Sequence, residues 1–229
     1  MKKLIIGWKT RHLLVMLIAV IGVYLFLELR AQWSDMHRWN RAIGDMSFVL
    51  IAISMAAGPL SRLIKFPFTL SVWRRAFGIY SVILAIIHTI IILAGWLQWD
   101  LIGIFGFQMH PSGVYVMVQH GFGLANLIGI IALIYGVILA LISNNISQKF
   151  LSGSVWKFLQ QGAYVLWVLI IIHTAYFLFL HFLDYHKAIP EPNIMRMPFV
   201  ILVLIVSILQ ILAFLKTWRL KLKKHYPEI

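Results

Sequence analysis

Cysteine is absent from this 229-residue chain, which excludes disulfides, thiolate metal ligands and iron–sulfur clusters. Acidic residues are scarce as well: seven Asp and Glu stand against twenty Lys and Arg, giving a net charge of +13. Charged residues of both signs make up only 12% of the chain, 62% is hydrophobic, and the mean hydropathy is +0.90. An ordinary soluble domain does not carry that balance. A nucleotide fingerprint is lacking too. Gly121-Phe-Gly123-Leu-Ala-Asn126 has two of the three glycines but sits in an apolar helical run with no strand before it, so its small residues are read as allowing close helix approach. No low-complexity segment, clear internal repeat or linker stands out. The expectation is a single domain over residues 1–229, with no room beside its spans for a flavin or nicotinamide domain.

What the chain has is long apolar runs. Six recur, at about Leu13–Leu29, Ile43–Leu60, Ala76–Leu97, Val114–Ile142, Val155–Phe182 and Pro198–Trp218, each near the length a helix needs to cross a bilayer. None alternates like a barrel strand, and lipid leaves unpaired backbone amides no partner, so the fold class is all-α, a six-helix transmembrane bundle. The first run follows Met1-Lys2-Lys3 as a signal peptide would. It continues into Glu28-Leu29-Arg30 with no small-x-small site, and is read as a retained helix.

The positive charge is arranged for a membrane and not for nucleic acid. With the N-terminus cytoplasmic, the inner segments hold Lys2, Lys3, Lys9 and Arg11, then Arg62, Lys65, Arg74 and Arg75, then Lys149 and Lys157, and finally Lys216, Arg219, Lys221, Lys223 and Lys224. Only Arg30, Arg38, Arg41, Lys187 and Arg196 remain outside. This bias places both termini in the cytoplasm and gives the tail an attraction for anionic lipid headgroups. Two outer loops follow, from Gln98 to Gly113 and from Leu183 to Met197, the second extended by Pro190 and Pro192. Seven tryptophans (Trp8, Trp33, Trp39, Trp96, Trp99, Trp156 and Trp218) fall near the interfaces, where amphipathic rings belong.

Two of the nine histidines interrupt apolar runs: Ile86-Ile87-His88-Thr89 and Ile171-Ile172-His173-Thr174. Ionisable groups at such depth mark pathways or ligand sites, and neutral imidazole is a standard axial ligand for haem iron. His88 lies thirteen residues beyond Arg75, roughly 20 Å of helix, and His173 sixteen beyond Lys157, roughly 24 Å. The third and fifth helices run in the same direction, so both rings reach the outer half of the bilayer and a b-type haem fits between them. The bland alternative is packing glue, each histidine hydrogen-bonding across the bundle. His120, on the fourth helix near the same plane, is a third ligand, a quinone partner, a propionate contact or an interfacial residue satisfied by water. His181, about 12 Å further out on a similar face, suits a propionate or an acceptor site. His12 and His225 are expected to be solvated, and His37, His110 and His186 to lie on outer loops. Asp45 is the span carboxylate of interest, one turn after Arg41; otherwise the spans carry little charge, which argues against a small transporter.

These residues resemble the ferric-reductase-like transmembrane domain family, and within it the haem-binding membrane subunits of the bacterial periplasmic methionine sulfoxide reductase system. The likeness rests on Gly44-Asp-Met-Ser-Phe48 through Gly58-Pro59-Leu-Ser-Arg62, on Trp73-Arg74-Arg75-Ala-Phe-Gly78 followed by His88, and on Trp156 to Gln160 followed by His173. It implies a b-type cytochrome in a bacterial inner membrane, an electron-transfer component and not a complete enzyme. Its donor would be a cytoplasmic flavin reductase or the quinol pool, and its recipient a periplasmic or extracellular reductase partner or a metal ion. Arg74, Arg75 and Gln160 at the inner mouth would serve FMN or a quinone, although the arginines also serve as topology-setting charges. The family usually has a histidine where Gln160 stands, and related NADPH oxidases hold two stacked haems on paired histidines. The departure implies one haem, on His88 and His173. The contrasting expectation is a non-redox anchoring or assembly subunit whose histidines pack or relay protons.

Overall fold

The computed structural model describes residues 7–64, 70–181 and 193–225. Lys2, Lys3, Lys65, His186, Lys187, Pro190 and Pro192 lie outside that set, as do the side chains of Lys223, Lys224 and His225. Eight α-helices are described: α1 (Trp8–Glu28), α2 (Asp35–Leu63), α3 (Leu70–Ile91), α4 (His120–Leu141), α5 (Asn145–Phe150), α6 (Gly153–Gln161), α7 (Ala163–Ala175) and α8 (Arg196–His225). A π-helical turn, Ile92–Trp96, prolongs α3, and another, Tyr176–Leu180, prolongs α7. With α6 and α7 running on as one span, six helices are long and apolar enough to cross a membrane. The chain is a multi-pass membrane protein.

The fourth span is shorter than its apolar run. Tyr115–Met117 forms a strand paired antiparallel with Phe107–Met109, and α4 starts only at His120. The turn between the strands uses Gly113 at φ +83°, where its amide donates to the His110 carbonyl, and β-branched and aromatic residues suit the short strand. Gly106, also at φ +83°, brings this hairpin back to the start of α4: the Val118 and Gln119 amides both donate to its carbonyl.

α2 is the hub. Of its span 67% is buried, against 11–28% of the other five, whose outward faces are left for lipid. α1, α3 and α8 all pack on it. Between membrane helices the apolar side chains gain little over lipid, so polar and small residues decide the close contacts. Ser47 Oγ on α2 donates to the Ser81 carbonyl on α3, and Ser81 Oγ donates back to the Ser47 carbonyl, each at 2.9 Å. Ser54 Oγ repeats the device with the Arg74 carbonyl at 3.0 Å. Gly121 and Gly123 do allow close approach: a Cβ at Gly121 would meet the Tyr176 ring, and one at Gly123 the Phe105 carbonyl.

Four spans close a ring. α2 packs on α3, α3 on α4, α4 on α7 and α7 on α2, whereas among the described residues α3 and α7 are not closely packed on each other. They are the diagonal pair, and each carries one of the two embedded histidines.

Candidate functional site

His88 and His173 are held by the same device. The His88 ring bonds through Nδ1 to the Asn40 carbonyl of α2 at 3.0 Å, and a Cβ at Gly44, one turn along, would sit 3.0 Å from the ring. The His173 ring bonds through Nδ1 to the Ala125 carbonyl of α4 at 2.8 Å, and a Cβ at Gly129 would sit 2.6 Å from it. Histidine, glycine and carbonyl in the second set each lie 85 residues after their counterparts in the first, and a π turn follows each histidine. The two halves of the ring are therefore built alike, a correspondence too sparse in sequence to stand out as a repeat.

A carbonyl only accepts, so each Nδ1 carries the proton and each Nε2 keeps its lone pair. Such outer hydrogen bonds fix the tautomer and orientation of a metal-binding imidazole. Each glycine lets its ring lie flat against the neighbouring helix backbone. The two rings feel each other electrostatically, and Arg41 acts on both. Both imidazoles remain partly exposed although they lie mid-span. Two neutral imidazoles with free Nε2 atoms, on diagonal helices that are not closely packed on each other, fit a planar group with two axial positions.

Other expected site residues lie elsewhere. His120 is the exposed first residue of α4, nine residues and roughly 13 Å of helix from Gly129 at the level of His173. The shorter fourth span thus removes it from the histidine plane. His181 follows the second π turn and packs among Phe122, Tyr176 and Phe177, and Phe177 in turn packs on His173 with ring centroids 5.0 Å apart. His181 therefore meets the site through an aromatic ring. His12 is half-buried, tilted against the rings of Trp8 and Tyr80, and not simply solvated.

Arg74, Arg75 and Gln160 do not converge. Arg75 donates to Asn145 Oδ1 at 2.9 Å and lies over the Trp156 ring. Gln160 Nε2 donates to Ser143 Oγ at 3.2 Å, and the Leu139 carbonyl is 3.4 Å away. Arg74 turns the other way, toward Gly58, Arg62 and Tyr164.

One group was not legible from the sequence. Arg30, 1% exposed, pairs with Asp45 and also donates to Asn193 Oδ1 and the Phe26 carbonyl, each at 3.3 Å. Asp45 was singled out beside Arg41, but its bonded partner comes from the far end of α1. Only the tertiary fold brings these together. Asp45 interacts with both Arg30 and Arg41, and Arg41 also acts on the two histidines. Among the described residues no three His, Asp or Glu side chains converge on one point.

The family model for the ferric reductase like transmembrane component matches residues 42–171, which span Gly44, His88 and Gly129. A magnetosome protein, MamZ of Paramagnetospirillum magneticum (strain ATCC 700264 / AMB-1), is 28% identical over 134 residues, 58% of this chain. The chain spans only 19% of that relative's length. The protein belongs to the ferric reductase like transmembrane component family, whose fold serves electron transfer across membranes and whose domains generally bind haem.

Proposed function

We propose that, within that family, this chain is a b-type cytochrome holding one haem between His88 and His173 and carrying electrons across a bacterial inner membrane. The observation that carries this reading is the matched pair of imidazoles, each with Nδ1 tied to a helix carbonyl, Nε2 free and a glycine beneath it. The haem supplies reversible one-electron chemistry at low dielectric. The chain does the rest. Asn40 and Ala125 hold the proton of each neutral ring on Nδ1, which leaves the Nε2 lone pair for a ligand. Gly44 and Gly129 set the ring planes. Arg41 adds positive potential near both histidines. Ile87, Ile172 and their lipid-facing neighbours exclude water from the two rings.

Electrons would enter at the basic end, from a cytoplasmic flavin reductase or the quinol pool, through bound FMN or a quinone. They would leave at the opposite end, where the β-hairpin, His120 and His181 are found, for a reductase partner or a metal ion. The likeness to the membrane subunit of the methionine sulfoxide reductase system favours a reductase partner.

The test is a visible spectrum of the purified full chain. A Soret band and low-spin reduced bands are expected, and His88→Ala or His173→Ala should remove the low-spin signature. A well-folded protein with no Soret absorbance after haem supplementation would return the histidines to packing and favour an anchoring or assembly subunit.

A further inference from the structure

Among the described residues, the basic end carries charge with no carboxylate beside it. Glu28, Asp35, Asp45 and Asp100 all belong to the opposite end, and among the described residues no carboxylate stands with Arg62, Arg74, Lys216 or Lys221. Three of these cations gather about one groove of roughly 420 Å³ between α2, α7 and α8. Arg62 and Lys221 line it directly, beside Tyr164 and Gln210. Arg74 lies behind, its guanidinium 3.5 Å from where a Cβ on Gly58 would stand and within electrostatic reach of both Arg62 and Tyr164.

Two further observations make this a shaped site and not only a charged rim. Lys216 Nζ donates to the Arg62 and Leu63 carbonyls at 2.7 and 3.2 Å, which pins the end of α2 to α8 and fixes one wall. Gln210 Nε2 is buried with no hydrogen-bond acceptor among the described residues, a donor whose desolvation is left uncompensated. Cations and a free donor call for an anion rich in oxygen acceptors, and phosphate is the matching chemistry. The remaining wall is apolar and lies on the lipid-facing surface of α8: Ile211, Phe214 and Trp218 are each more than half exposed. A ligand with a hydrocarbon tail satisfies both walls; a free phosphate satisfies one.

We propose that this groove binds the phosphate headgroup of an anionic phospholipid, with an acyl chain laid along Ile211, Phe214 and Trp218. Basic pockets between spans at the cytoplasmic side serve this purpose generally, and the groove's size falls within the range of ligand clefts. The site does not depend on haem at the histidine pair, since none of its lining residues is either embedded histidine or a residue bonded to one.

Titration of the full chain in mild detergent with phosphatidylglycerol or phosphatidylcholine, followed by native mass spectrometry, tests it. One phosphatidylglycerol should be retained more tightly than phosphatidylcholine. Arg62→Gln and Lys221→Gln should each weaken that binding by about fivefold, the usual effect of one cation at an anionic headgroup. Lys149→Gln, which removes an exposed charge from the same end outside the groove, should leave it unchanged. Equal retention of the two lipids, or an equal loss in Lys149→Gln, would overturn the site. Displacement of the lipid by millimolar inorganic phosphate or by FMN would show that the groove takes a soluble phosphate instead, and would overturn the lipid assignment.

Discussion

At the scale of single residues, glycine and histidine divide the work. A mid-span imidazole is costly unless its polar atoms are engaged, and here one nitrogen of each ring is engaged by a carbonyl, while the other is the one we propose for haem. The histidines were legible in the sequence because each stands alone in an apolar run. Gly44 was legible only as part of a family motif and Gly129 not at all, because a glycine in a membrane helix has many uses and the one that matters depends on the ring across from it. The clearances rank the two positions. A Cβ at Gly129 would lie 2.6 Å from the His173 ring, and one at Gly44 3.0 Å from the His88 ring. Gly129→Ala should therefore push the His173 ring off its Ala125 bond and cost more than half of the bound haem, while Gly44→Ala should cost visibly less. Soret absorbance per protein, with thermal unfolding as a control for the fold, checks the order; equal effects would contradict the geometry.

At the scale of elements, the chain departs from its hydropathy where a span gives way to a hairpin. Val114 to Val118 is as apolar as the helix that follows, and length alone extends the span over it. What decides is backbone geometry: Gly106 and Gly113 sit in the left-handed region, which closes the strand pair and folds it over the start of α4. Asn126 reinforces the fold-over, with Nδ2 donating to the Ile104 carbonyl at 2.9 Å. A Cβ at Gly106 would sit 2.1 Å from the Gln119 carbonyl oxygen, and positive φ strains any other residue there. Gly106→Val should release the hairpin from α4. Protease cleavage between Gly106 and Gln119 should become fast in intact micelles, while the haem spectrum, which depends on α2, α3, α4 and α7, should persist. Loss of the spectrum together with the hairpin would make the hairpin part of the haem site.

At the scale of the whole molecule, the six spans and their order were legible from composition, because the bilayer allows few alternatives. The pairing of helices was not. That α3 and α7 are diagonal, and that the two halves of the ring match at an offset of 85 residues, follows from contacts that no hydropathy pattern encodes. Direction across the membrane is an expectation from charge: the sequence assigns fifteen of the twenty basic residues to the segments on the cytoplasmic side. A reporter fused after Ile229 should therefore be active only on the cytoplasmic side. A reporter active outside would reverse the direction of electron flow and move the haem to the inner leaflet.

Haem count belongs to the same scale, since it decides how far an electron must travel without iron. A second haem toward the basic end needs axial ligands about thirteen residues before His88 and His173, roughly 20 Å along each helix. Those places hold Arg75 and Gln160. Neither is available: Arg75 is committed to Asn145 and the Trp156 ring, and Gln160 to Ser143. A permanent guanidinium would also oppose the iron charge. Of the histidines whose side chains are described, only His12 lies toward that end, and its ring packs at a tilt against Trp8 and Tyr80. One haem leaves the basic half of the bundle to be crossed by another carrier, which is why a flavin or quinone there is the expected companion. The pyridine haemochrome assay against quantified protein should give a ratio near one, unchanged in Gln160→Ala and reduced to near zero in the His88→Ala, His173→Ala double variant. A ratio near two that falls to one in His12→Ala would instead establish a second iron at the basic end, and would let the electron cross the membrane from haem to haem.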